Sequence, residues 1–127
     1  MRNVYENKNV MVTGHTGFKG SWLVGWLKQI GASVTGIALD PPSSPNHFEA
    51  SKLANDIQDY RFDIRDSSAV EKTILDAKPD FLFHLAAQPI VGASYSNPIE
   101  TWSTNLMGTI NILEALRKLN HDCSAVI

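Results

Sequence analysis

The sequence predicts an α/β protein built on a doubly wound parallel sheet, and three observations predict it. A short apolar run, Val10-Met11-Val12-Thr13, empties into a turn with glycines at 14, 17 and 20, and that turn opens a helical pattern. Strand-like and helix-like runs then alternate over short connections, the rhythm of parallel βαβ units. Finally, Asp80-Phe81-Leu82-Phe83-His84-Leu85-Ala86-Ala87 reads as a central strand, apolar because both its faces are covered. The expected strand order is 3-2-1-4-5, with a ligand crossing the carboxyl ends of strands one and four.

Taken in order, the first strand covers residues 9 to 14. Helix one follows from Phe18 to Ile30 with a stripe of Trp22, Leu23, Trp26, Leu27 and Ile30, and Gly31 is its left-handed stop. Ser33 to Leu39 is a second strand ending at Asp40. Pro41-Pro42-Ser43-Ser44-Pro45 is an irregular loop, since proline extends neither a strand ladder nor a helix. One or two helical turns span His47 to Leu53, and a short third strand spans Tyr60 to Ile64. Asp66 or Ser68 caps the next helix, Ser68 with Glu71 fitting a capping box; Val70, Ile74, Leu75 and Ala77 form its apolar face, and Pro79 ends it. After strand four, residues 88 to 97 read as a loop. A long helix runs from Pro98 to about Leu119 with Leu106, Ile110, Leu113 and Leu116 as its buried stripe, and Ser124 to Ile127 begin a fifth strand.

Composition narrows the function classes. The 127 residues are about one domain's worth, 43% hydrophobic and 19% charged, with a net charge of -2. No basic stripe points to nucleic acid, and no apolar run is long enough to span a membrane. The polar N-terminus does not resemble a signal peptide. The single cysteine, Cys123, rules out an intramolecular disulfide; it reads as a small filler beside the last strand, and a cytoplasmic location is expected. The four histidines lack metal-ligand spacing, one cysteine cannot complete a zinc cluster, and no serine elbow is present, so no metal site is expected.

The glycine turn carries the chemistry. Gly14 lets the chain leave the strand at a backbone angle a side chain forbids, Gly17 lets the first helical turn approach a pyrophosphate, and Gly20 lets the helix pack on the strand. Free amides at the start of that helix, with the helix dipole, supply the anion site, so no basic side chain is required. Lys19 is either a phosphate contact or a solvated lysine at the helix start. Asp40, at the end of strand two, stands at the spacing of a carboxylate that accepts from ribose hydroxyls and repels a 2′-phosphate, which favours NAD over NADP; the plain alternative is a solvated loop aspartate. Asp63 with Ile64 suits the adenine end, or is a simple turn aspartate. Leu85, Ala86 and Ala87 let a cofactor lie on backbone at the end of strand four, although core packing is also expected of Leu85. Gln88 is a polar group at the mouth, and His84 reads as a buried, hydrogen-bonded histidine rather than a base.

The glycine spacing with Thr13 ahead of it resembles the extended short-chain dehydrogenase/reductases, whose fold is of the Rossmann type. Thr13-Gly14-His15-Thr16-Gly17-Phe18-Lys19-Gly20-Ser21-Trp22-Leu23 and Gln88-Pro89 are similar, more narrowly, to the CDP-glucose 4,6-dehydratases. The likeness runs on through Leu39-Asp40-Pro41-Pro42, Asp63-Ile64-Arg65-Asp66, His84 to Pro89, Ser94-Tyr95-Ser96-Asn97-Pro98 and the Thr104-Asn105 helix. It implies NAD as cofactor, held by Gly14, Thr16, Gly17, Phe18, Lys19, Gly20, Asp40, Asp63, Ile64, Leu85, Ala86, Ala87 and Gln88. Asn105 would support the site from behind, with Leu106 and Gly108 beside it on the sheet-facing side. It further implies CDP-glucose as the substrate of a homo-oligomeric parent enzyme that feeds deoxysugar and surface-polysaccharide synthesis. Such enzymes move a hydride from sugar C4 to NAD, eliminate water across C5 and C6, and return the hydride to C6.

The acid/base residues of that family, including a YxxxK tyrosine and lysine, would follow Ile127, as would its sugar-nucleotide domain. The expectation is therefore an N-terminal cofactor-binding part, residues 1-127, with no catalytic residue of its own. Inactivity is expected of it, and so is an exposed fifth strand that leaves it marginal or self-associating. Two other classes stay open: another sugar epimerase, dehydratase or reductase of the superfamily, and a non-catalytic NAD-binding module.

Overall fold

A computed structural model describes residues 3–127. Five parallel strands form one sheet in the order β3-β2-β1-β4-β5, the expected order. The strands are β1 (Asn9–Thr13), β2 (Ser33–Ala38), β3 (Gln58–Arg61), β4 (Phe81–His84) and β5 (Ser124–Val126). The registers β1 to β2 and β1 to β4 set Thr13 opposite both Ile37 and His84, so three strands end in one row where the chain switches direction across the sheet. β3 starts two residues before the expected Tyr60 and ends at Arg61 rather than Ile64, and β4 ends at His84 rather than Ala87.

One face of the sheet carries α1 (Phe18–Gln29) and α2 (His47–Ala50) over a core of Val10, Val12, Val24, Leu27, Val34 and Phe48. The other carries α3 (Ser67–Ala77) and α6 (Gly108–Arg117) over Met11, Ile37, Val70, Ile74, Leu82 and Ile112. The strict alternation of β1, with Val10 and Val12 on one side and Met11 on the other, is what a strand covered on both faces requires.

Several local expectations are corrected. Trp22 and Trp26 do not belong to the buried stripe of α1; they are 58% and 50% exposed, and Gly20, Ser21, Val24 and Leu27 face the sheet instead. Small residues win that face because α1 lies close to the glycine turn, and the two indoles find partners at its rim. Trp22 stacks on His47 with ring centroids 4.0 Å apart, and Trp26 meets Tyr5 edge-on. The Ser68–Glu71 capping box is absent: Asp66 is the cap, its carboxylate accepting from the Ala69 amide at 3.0 Å. Gly31 does adopt the left-handed angle, with φ +87°.

The segment expected to be a loop holds the helix α4 (Val91–Ser96), and Asn97 then caps α5 (Pro98–Trp102) with Pro98 in its first turn. The long helix continues as a π turn over Ser103–Met107 and then as α6. Its buried face is Gly108, Ile112 and Ala115, while Leu106, Ile110 and Leu113 lie outside. The helix is apolar on both faces, so periodicity alone could not choose. The smaller face wins because Gly108 admits the Ile64 side chain, which any Cβ there would strike.

Candidate functional site

The site is built where β1 ends. Gly14 has φ +73°, and a Cβ placed on it would lie 2.8 Å from the backbone of Leu85 and Ala86, so the turn lies directly on the chain leaving β4. The Gly14 amide donates to the Ile37 carbonyl at 2.8 Å and the Gly17 amide to the Gly14 carbonyl at 3.1 Å, which closes the turn. A Cβ on Gly20 would collide with the Gly14 carbonyl, so α1 starts as near to the strand as backbone allows. Gly17 occupies the cap position of α1, no side chain caps that helix, and no acidic residue stands in its first turn. The first-turn amides therefore present unsatisfied donors and the positive end of the helix dipole. The arrangement has the chemistry of an anion cradle.

The polar groups beneath the turn are tied to its shape. Thr16 is buried and its hydroxyl donates to the Leu39 carbonyl at 2.9 Å, joining the turn to the end of β2. Thr13 Oγ1 accepts from the amides of Leu85 and Ala86, both at 3.1 Å, and donates to His84 Nδ1 at 2.6 Å. That leaves the His84 proton on Nε2, which donates to Thr109 Oγ1 at 3.0 Å, and Thr109 in turn donates to the Asn105 carbonyl at 2.7 Å. Every group in this chain is satisfied with a neutral imidazole, and burial holds the His84 pKa below its ordinary value of 6.5. His84 is thus a buried, hydrogen-bonded histidine, as expected.

Asn105 sits within the π turn, and its side chain clasps Gln88: Oδ1 accepts from the Gln88 amide at 2.7 Å and Nδ2 donates to the Gln88 carbonyl at 3.1 Å. The Gln88 amide group is used on Ile90 in its own loop and on Thr101 of α5, rather than projecting freely into the mouth. Leu85 is not in the core; it is 39% exposed, because it stands past the last ladder pair of β4 with its backbone against Gly14. Ala86 packs against the core below α3 and α6, and Ala87 is exposed. Leu106, expected on the sheet-facing side near Asn105, is exposed, whereas Gly108 is buried. Phe18 and Lys19 are exposed at the start of α1.

At the other end of the row, Asp40 follows β2 and is 91% exposed. Asp63 is engaged by its neighbour Arg65, accepting from Nη2 at 2.6 Å, from Nε at 2.9 Å and from the backbone amide at 2.8 Å; these bonds to Arg65, against a smaller opposing effect of burial, hold its carboxyl below the usual range. Ile64 is buried, and its carbonyl accepts from Asn111 Nδ2 at 3.0 Å.

One cluster was not anticipated from the sequence. His15 is fully buried, with Nε2 donating to Asp59 Oδ1 at 2.8 Å and Nδ1 without a partner among the described residues. Its ring fills the space over Gly36, where a Cβ would lie 2.6 Å from Nδ1, and meets Phe48 edge-on at 5.2 Å. Burial outweighs the pull of the Asp59 carboxylate and holds the His15 pKa below 6.5. Asp59 also grips Arg61, which reaches on to Asp40. A glycine in mid-strand followed by Asp and Arg in alternation on the next strand is the sequence signal for this cluster, and it is weak.

A parallel 3-2-1-4-5 sheet whose glycine turn feeds an uncapped helix at the switch point defines a Rossmann-type domain. Residues 11–127 match the GDP-mannose 4,6 dehydratase family, and the chain belongs to that family. Among relatives, it is 48% identical over 120 residues to a CDP-glucose 4,6-dehydratase of Salmonella typhimurium, an alignment covering 94% of this chain and 33% of the other. It is 35% identical over 112 residues to the GDP-mannose 4,6-dehydratase sdnI of Sordaria araneosa, covering 88% and 20%. Among solved structures it resembles a UDP-glucose 4-epimerase of Thermus thermophilus in complex with NAD, with TM-score 0.74 and 31% identity, covering 86% of this chain and 33% of that one. A UDP-glucose 4-epimerase of Stenotrophomonas maltophila with bound NAD gives TM-score 0.76 and 27% identity, covering 87% and 34%. The chain spans about a third or less of the length of these proteins. Among the described residues no helix is long and apolar enough to cross a membrane, and no group of three or more potential ligands could hold a metal ion.

Proposed function

We propose that this chain is the NAD-binding part of a nucleotide-sugar 4,6-dehydratase whose substrate is CDP-glucose. The observation that carries the reading is the uncapped start of α1, whose first-turn amides face no capping side chain and no acidic residue, set directly after a glycine turn that packs on the chain leaving β4. The 48% identity to a CDP-glucose 4,6-dehydratase favours the cytidine nucleotide over the guanosine and uridine ones in the names of the other relatives.

NAD, when bound, supplies hydride acceptance and return. The chain's residues bind and orient it: Gly14, Thr16, Gly17, Phe18, Lys19 and Gly20 receive the pyrophosphate, and Asp40 accepts from the adenosine ribose hydroxyls. Asp63 and Ile64 border the adenine, while Leu85, Ala86, Ala87 and Gln88 form the wall that Asn105 braces. The Thr13–His84–Thr109 hydrogen bonds supply no proton to a substrate; they fix the height of that wall above the turn. The acid/base groups of the dehydration come from elsewhere in the full protein, so this chain binds the cofactor without turning over sugar nucleotide.

Calorimetric titration with NAD and NADP tests the reading. NAD binding that exceeds NADP binding, weakened in Asp40→Ala, is the expected result. A folded chain that binds neither overturns it, and dehydration of CDP-glucose by the chain alone overturns the division of labour.

A further inference from the structure

We propose that Arg61 is a specificity-determining residue: it sets a fixed cation at the ribose end of the site, so that discrimination against a 2′-phosphorylated dinucleotide rests on the Asp40 carboxylate alone. The inference rests on the NAD reading above and deepens it.

Arg61 is the last residue of β3 and pairs with Ala38 at the end of β2, which brings its guanidinium beside Asp40 two residues further on. Nε donates to Asp59 Oδ1 at 2.6 Å and Nη2 to Asp59 Oδ2 at 2.9 Å, a two-pronged grip that fixes the plane of the group. Asp59 is itself held by buried His15, and the guanidinium lies over the Phe48 ring at 5.0 Å. Two of its three nitrogens are therefore fixed from behind, and the third, Nη1, faces Asp40 Oδ1 at 3.2 Å. An arginine held by Asp59 and by the Phe48 ring has already lost much of the side-chain freedom that a mobile surface arginine would lose on meeting an anion.

A carboxylate at this place repels a 2′-phosphate, and a nearby arginine accommodates one. This chain carries both, in contact. Asp40 masks a preorganised cation whose Nη1 has no other partner among the described residues, and removing the carboxylate unmasks it. The preference for NAD is thus one substitution from inversion.

The test is titration of the chain and its Asp40→Asn, Arg61→Gln, Asp40→Asn/Arg61→Gln and Asp40→Asn/Arg61→Lys variants with NAD and NADP, with a melting curve on each. Asp40→Asn should tighten NADP about tenfold or more. The gain should vanish in the double variant with Gln and return in part with Lys, which keeps the charge without the fork. Arg61→Gln alone should widen the preference for NAD. An equal NADP gain with and without Arg61, or no gain in Asp40→Asn, overturns the inference while NAD binding itself persists. A folded chain that binds no NAD overturns the cofactor reading beneath it.

Discussion

The two sides of the sheet bury their side chains very differently. Around β1, β2 and β3 the polar groups are inside: Thr13, His15, Thr16, Ser21 and Thr35 are buried, and Phe48 seals His15 from above. Exposed apolar groups stand on both sides, Phe18, Trp22, Trp26 and Leu39 among them on the first, but they are more numerous around β4 and β5. Trp102 is 67% exposed, Leu113 46% and Val126 56%, and Ile90, Val91, Tyr95, Ile99, Leu106 and Ile110 join them. Buried polar groups are tolerated when partnered, so the first side takes its shape from hydrogen bonds, with His15 Nδ1 as the one buried side-chain polar atom among the described residues left without a partner. The second side has a finished core, Met11 to Ile112, beneath an apolar exterior of the kind that marks contact surfaces.

The largest effect should come from the seam. Gly14→Ala forces a left-handed angle on alanine and drives its Cβ into the Leu85 and Ala86 backbone, and about 4 kcal/mol or more of stability should be lost in urea unfolding. A loss under about 1 kcal/mol would show that the seam is slack. Next, Met11→Ala, fully buried between β2 and β4, should cost about 3 kcal/mol by the same measurement. Thr13→Val keeps the shape but orphans the Ala86 amide and His84 Nδ1; about 2 kcal/mol is expected, with faster hydrogen exchange at the Leu85 and Ala86 amides.

The pH dependence sharpens the comparison from the polar side. Burial lowers the pKa of both His15 and His84, so the unfolded chain binds more protons than the folded one just below the ordinary value of 6.5. Stability is then complete above that value and falls as pH drops below it. Melting temperatures taken from pH 7.5 to 5 should decline through that window, and a flat profile would mean that neither imidazole must stay neutral to fold. The smallest effect belongs to the open side: Leu113→Ala should change stability by no more than about 0.5 kcal/mol. A loss comparable to that of Met11→Ala would erase the contrast between the two sides.

How much of this was legible in the sequence divides along the same line. The sheet order, the turn and the placement of Asp40 after β2 were readable, because glycine spacing and strand rhythm are local signals that the backbone obeys. The faces of α1 and α6 were not. Trp22 and Leu113 look like core by hydrophobicity alone, yet the faces that win are the ones with glycine, serine and alanine, chosen by how near the helix must come. The His15–Asp59–Arg61–Asp40 cluster was missed because its members are drawn from three separate segments, and no local pattern couples residues 44 positions apart.

The imidazole of His15 occupies the volume that a side chain at position 36 would need. Two positions 21 apart in the chain therefore share one allotment of space, and neither can vary freely. Across diverging sequences of this fold, a residue larger than glycine at 36 should arise only alongside a small residue at 15. A lineage that reversed the order of those two changes would pass through a chain with both side chains in the same place.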